Sequence, residues 1–151
     1  MQRYDRIVSG DDGRAVFMRC PIGEWEWSFA VDDNAVHDRG PGEGWLACTE
    51  SLTEFLIHNA LTELPYGVRY WRCGTRIRQE LLPEVIGPMS EVALKPWRWP
   101  REVQSRIFMN DRMIAEIDII PDNGGFDVRV ASQSGASLGY LDRLTDIKWI
   151  S

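Results

Sequence analysis

The sequence predicts an α+β fold, a curved antiparallel sheet with one main helix packed on one face. Three observations predict it. Trp25, Trp27, Phe29 and Val31 alternate with Glu24, Glu26, Ser28 and Ala30, the period of a strand with one buried and one wet side. Leu52 to Leu64 carries apolar residues at helical spacing behind a capping signal. Phe126, Val128 and Val130 alternate with Asp127 and Arg129, which returns the chain to sheet in its last third.

The remaining elements follow in order. Tyr4 to Val8 reads as a first strand, Gly10-Asp11-Asp12-Gly13 as a turn, and Ala15 to Cys20 as a second strand broken by Pro21 and Gly23. The polar, Gly-rich segment Asp32 to Gly44 reads as an exposed loop, since Gly and Pro oppose helix and central strand alike. Ser51 and Glu54 match a capping box. Beyond it Leu52, Phe55, Leu56, Ala60, Leu61 and Leu64 form the apolar sector, widened by Ile57, with Glu54, His58 and Thr62 on the other side. Pro65 and Gly67 are expected to stop this helix. Val68 to Cys73 suits a short strand, and Thr75 to Gly87 is ambiguous because Pro83 interrupts a helical pattern. Val92 to Leu94 suits another short strand. Pro96-Trp97-Arg98-Trp99-Pro100 has two prolines and cannot be a central strand. Arg106 to Met109 and Arg112 to Ile120 flank the hairpin signal Asn110-Asp111, and Pro121 to Gly125 makes the next turn. Leu138, Leu141 and Leu144 suggest a short helix, and Ile147 to Ile150 a closing strand or tail.

A chain of 151 residues fits a single domain, 1–151, and can bury roughly 70% of its unfolded surface without staples. The formal net charge is −6, which argues against general nucleic-acid binding. Five Lys and Arg face twelve Asp and Glu in residues 1–64, nine face five in 65–113, and three face six in 114–151. An acidic face meeting a basic partner is one consequence of that distribution; charge for solubility is the plainer one. The apolar runs are too short to span a bilayer, and the first residues lack the apolar core of a signal peptide. Cys20, Cys48 and Cys73 are at no metal-ligand spacing and read as reduced thiols, small hydrophobes in a cytoplasmic protein.

Each motif that could carry chemistry has a plainer structural reading. Asp32-Asp33-Asn34 with His37, Asp38 and Glu43 gathers possible ligands, but Val36 falls at a ligand place and His37 stands where a calcium loop needs Gly. No metal is expected. His58 has Glu54 one turn before it but no nucleophile motif near by, so it reads as a helix-surface histidine. Glu116 and Asp118 share one strand face, yet no flanking motif completes a glycosidase pair or a two-metal cluster. They read as the wet side of a half-buried strand. Trp97 and Trp99 with Arg98 and Arg101 could stack on nucleobases, but in an acidic chain they read as a proline-braced edge covering the core. No catalytic residues and no cofactor are assigned.

One stretch has a familiar order. Glu24-Trp25-Glu26-Trp27-Ser28-Phe29 leads through a polar loop to Gly44-Trp45-Leu46-Ala47 and then Glu50-Ser51-Leu52-Thr53-Glu54-Phe55-Leu56. The tail adds paired strands from Asn110-Asp111-Arg112 and the segment Leu138-Gly139-Tyr140-Leu141. The pattern resembles the SUKH-like immunity proteins of bacterial toxin systems, best over Trp25 to Leu64. The resemblance implies an intracellular α+β domain that binds a cognate protein toxin and blocks it, and that is not an enzyme. Charge, the lack of a catalytic motif and the resemblance together point to a cytoplasmic immunity protein, monomer or homodimer, without nucleic-acid or membrane partners. Asp32, Asp33, Asp38, Glu43 and Glu50 are the expected partner-binding set, steering and pairing with Arg or Lys. The alternative is a small-molecule-binding or enzymatic domain with a pocket between sheet and helix, and a third reading is a structural subunit that assembles through the same acidic face.

Overall fold

In the first third of the chain strand follows strand through short turns, so neighbours pair without crossovers. The computed structural model describes residues 8–9, 12–20, 22–30, 32, 34–95, 104–119 and 124–151. Among these, β1 (Val8–Ser9), β2 (Arg14–Arg19), β3 (Glu26–Ala30), β4 (Ala35–Arg39) and β5 (Leu46–Ser51) form an antiparallel sheet in chain order. A second five-stranded antiparallel sheet follows, so the expected single sheet is two. The chain divides into two compact units, Met1–Ile57 and His58–Ser151, and the α+β class holds.

In the first unit the turn before β2 depends on Asp12, whose Oδ1 accepts the Arg14 N–H at 3.2 Å. The segment expected to be a loop from Asp32 to Gly44 contains β4, because Val36 and Asp38 are buried on alternate positions and outweigh the local Gly and Pro content. Trp27 is buried as the period predicts, but so is Ser28 on the opposite side, and the centre of β3 is covered on both faces. Glu26 ties β2, β3 and β4 together: it pairs with Arg19 at 2.7 Å and accepts the Arg39 Nε–H at 2.7 Å. Phe17 packs on Phe29 and Phe55, and Phe55 packs on Trp27, with centroid distances of 5.9, 5.5 and 6.2 Å.

Helix α1 (Leu52–Gly67) opens on the capping box that the sequence predicts. The Ser51 N–H donates to Glu54 Oε2 at 2.9 Å and the Glu54 N–H to Ser51 Oγ at 3.3 Å. Ser51→Ala is expected to cost about 0.5–2 kcal/mol, read as a lower midpoint in urea with unchanged slope. The helix does not stop at Leu64. Pro65 lies in its last turn, where the missing N–H loses a single bond, and its ring is buried.

The face that α1 buries only partly matches the expected one: Phe55 and Leu61 pack inward as expected, while most of the rest of the apolar sector is rotated toward water. Phe55, His58 and Asn59 are each 2% exposed, and Pro65 is buried on the same side. Leu56, Ile57 and Leu64 are 43–47% exposed, with Ala60 between them. Seven apolar residues within thirteen make a sector so broad that periodicity cannot choose which side turns inward.

The second unit holds β6 (Tyr70–Ile77), α2 (Leu82–Ile86), β7 (Ser90–Glu91), β8 (Gln104–Met109), β9 (Met113–Ile119) and β10 (Phe126–Ser132). Its sheet order is β6-β10-β9-β8-β7. The ambiguous segment resolves as the end of β6, a 3-10 turn at Gln79–Leu81, and α2 with proline in its first turn, where no bond is lost. One face of the sheet carries the core: Ala115, Ile117, Val128 and Val130 pack with Val85, Leu138, Leu141 and Ile147. Leu138 and Leu141 arrive on two 3-10 turns, Gly135–Leu138 and Leu141–Arg143, in place of the expected short helix. Asn110 organises the β8–β9 turn by accepting the Arg112 and Met113 N–H groups at 2.8 and 2.9 Å. The tail returns to β6, where Cys73 and Ile150 exchange two backbone bonds of 2.8 Å.

Gly125 lies where β10 begins against β6, and a Cβ there would stand 2.7 Å from the Arg76 carbonyl carbon. That neighbour is backbone and cannot yield. Gly125→Ala is therefore expected to cost about 1–3 kcal/mol, measured as a lowered thermal midpoint.

Candidate functional site

In β9 the residues Met113, Ala115 and Ile117 enter the core, so Ile114, Glu116 and Asp118 point to the opposite face. Register sets their neighbours. Glu116 lies between Ile107 of β8 and Arg129 of β10, with Cys73 of β6 beyond Arg129. Asp118 lies between Ser105 and Asp127, and the Ser105 hydroxyl donates to its Oδ1 at 2.5 Å. Leu61 from the second half of α1, with Val68 and Trp71, packs on Ile107, Ile114 and Ala131 of the same face. The expected wet side of the strand is thus covered: Glu116 is 5% exposed.

The cation of this cluster is Arg129. Its guanidinium carbon lies 4.2 Å from the Tyr66 ring centroid and 5.1 Å from that of Trp71, a cation in contact with two aromatic rings. Burial pushes the Glu116 carboxyl up to about 8, and the neighbouring Asp118 charge adds to the rise while Arg129 opposes it. Burial likewise raises Asp118, against the Ser105 hydrogen bond. Tyr66 rises through burial and the Glu116 charge. The Cys73 thiol also rises, chiefly through burial, and so holds its proton at neutral pH.

Chemically, the arrangement keeps a proton on Glu116 at neutral pH and holds one guanidinium in fixed orientation beside several carboxylates. The Cys73 thiol is a poor nucleophile there. What the cluster does is fasten the carboxyl-terminal turn of α1, through Tyr66, to the second sheet. Sequence reasoning missed Arg129 and Tyr66, because the stack joins residues 63 positions apart that no local motif connects.

No family model matches the chain, and no curated protein or solved structure matches it.

Of the five acids expected to meet a partner, four are among the described residues. Asp32 and Glu43 are exposed, and Asp33 lies outside the described residues. Asp38 and Glu50 are 5% and 8% exposed and present little surface. His58, expected on the helix surface beside Glu54, is buried, while Glu54 serves the cap. Cys20 is buried; Cys48 and Cys73 are half-buried, and none of the three is in a disulfide. The Cys20 Sγ accepts the Glu24 and Trp25 N–H groups at 3.1 Å each. Trp45 is half-buried, and the Arg39 guanidinium lies over its ring at 4.3 Å. Trp97, Arg98, Trp99 and Arg101 lie outside the described residues. Among the described residues no group of three His, Cys, Asp or Glu is placed to hold a metal ion, and no helix is long and apolar enough to cross a membrane.

The outward side of α1 presents a row of exposed apolar side chains. Leu56, Ala60 and Leu64 follow one another at four-residue spacing, with Ile57 alongside. From Gly40 to Val68 the chain carries four Glu and no Lys or Arg. The surface is apolar and its surroundings in sequence are acidic.

Proposed function

We propose that this chain is an immunity protein that binds a cognate bacterial toxin and neutralises it by covering a surface the toxin needs. The observation that carries this reading is the outward side of α1, where Leu56, Ile57 and Leu64 are turned to water while His58 and Asn59 are buried. Leaving large aliphatic side chains exposed in a row is unfavourable unless something covers them. The acidic stretch around the row selects a partner whose apolar patch is ringed by Lys and Arg. Exposed Asp32 and Glu43 steer that partner, and an interface of standard size buries about 1,600 Å² in total. On this reading the protein acts in the cytoplasm, as monomer or homodimer, uses no cofactor and catalyses no reaction.

The test is co-expression with a toxin-domain protein encoded beside this chain. Growth rescue together with co-purification supports the reading; neither rescue nor binding rejects it.

A second reading rests on a separate observation. Glu116 is a protonated acid beside Asp118 and Arg129, under the second half of α1, the place where a pocket between sheet and helix would put a small substrate. Turnover of a metabolite that disappears in Glu116→Gln would favour it.

A further inference from the structure

At the end of the second unit formed by the β8–β9 turn and the 3-10 turn Gly135–Leu138, two adjoining depressions share Arg112 and Ser137. Their volumes are about 520 and 460 Å³, each in the range of small-molecule sites. Their linings differ in kind. The first is the more polar of the two, with Asp111, Ser132, Gln133 and Ser134 in its wall. The second offers apolar surface from Pro88, Met113 and the ring of Tyr140.

The frame is saturated with internal hydrogen bonds. Ser132 Oγ donates to the Arg112 carbonyl at 2.8 Å and accepts the Ser134 N–H at 3.1 Å. Asn110 Nδ2 donates to the Pro88 carbonyl at 2.7 Å, while its Oδ1 holds the turn. The Tyr140 hydroxyl donates to the Val85 carbonyl at 2.6 Å, which fixes the ring. Against this rigid frame, the Arg112 guanidinium and the Asp111 carboxylate have no ion-pair partner among the described residues, and both are exposed. The hydroxyls of Ser134 and Ser137 are likewise uncommitted there.

We propose that this double depression binds a sugar ring carrying one carboxylate or phosphate. The assignment follows the chemistry of the two halves. A guanidinium fork recognises a planar or tetrahedral oxyanion through paired N–H donors. An aspartate and serine hydroxyls accept and donate to ring hydroxyls. A fixed tyrosine ring receives the apolar C–H face of the sugar. A bare anion would leave Asp111 and the serines unused, and a neutral sugar would leave Arg112 unused. This site is independent of the α1 surface.

The test is a titration of the full chain followed by amide chemical shifts, with glucose 6-phosphate, glucuronate, glucose and inorganic phosphate as separate probes. Saturable shifts confined to residues 110–113 and 132–140 with the phosphorylated or the carboxylated sugar are expected, and which of the two binds tighter identifies the oxyanion. Arg112→Ala, on the surface, should retain the folded spectrum and weaken binding at least tenfold; Ser137→Ala should weaken it less. Absence of shifts with both sugar anions overturns the proposal. So does equal binding by Arg112→Ala, or inorganic phosphate binding as tightly as glucose 6-phosphate.

Discussion

Glu116→Gln is expected to stabilise the protein strongly at pH 9 and hardly at all at pH 4. In the folded chain the Glu116 carboxyl titrates near 8, against an ordinary value of 4.5, because burial and the Asp118 charge penalise its anion. Between those two values the folded state keeps a proton that the unfolded chain releases. Stability therefore falls as pH rises from about 4.5 and levels off above about 8. A shift of that size corresponds to about 5 kcal/mol at most, since each pH unit is about 1.4 kcal/mol. Asp118, raised in the same direction, adds to the same trend. The glutamine has the shape of the protonated acid without the proton to lose, so the variant's stability should be much flatter across this range. Urea midpoints at pH 4, 6, 7.5 and 9 would measure it. A wild-type curve without alkaline loss, or a variant that tracks it, would show that Glu116 ionises in the fold at no cost.

The second large effect concerns binding. If the proposed immunity function holds, Leu56→Glu combined with Leu64→Glu is expected to weaken binding of the partner by roughly 100-fold or more, as loss of central apolar anchors does. Both side chains are more than two-fifths exposed, so the folded protein should change by no more than about 0.5 kcal/mol. Phe55→Ala serves as the contrast. Packed between Phe17 and Trp27, it should cost about 3–5 kcal/mol without addressing the outward row. Binding by calorimetry and stability by thermal melting separate the two. If the double glutamate variant binds as the wild type does, the α1 surface is not where the partner sits.

The capping box at Ser51 and Glu54 could be read directly from the sequence, because both hydrogen bonds close within three residues. The same holds for the alternation of β10, whose Val128 and Val130 are buried as their period requires. Strand length, by contrast, is set by neighbours. Tyr70–Ile77 is longer than its apolar stretch because β10 pairs along it, and Ala35–Arg39 is a strand because β3 and β5 flank it. The site was hardly legible at all. Glu116 and Asp118 were visible as a pair on one strand face, but their alternation is the same for a wet face and for one covered by a helix.

Local sequence alone is enough for the α+β class, the start of α1 and most strands after Asn110. All of these depend on hydrogen bonds and periodicities spanning a few residues. Long-range packing sets the number of sheets, the side of α1 that is buried, and the burial of Glu116 beside an arginine that contacts Tyr66 and Trp71. Burial is a property of what packs on top, and the covering residues lie dozens of positions away. A broad apolar helix sector and an alternating strand each fit two opposite orientations, and the choice between them is made by packing.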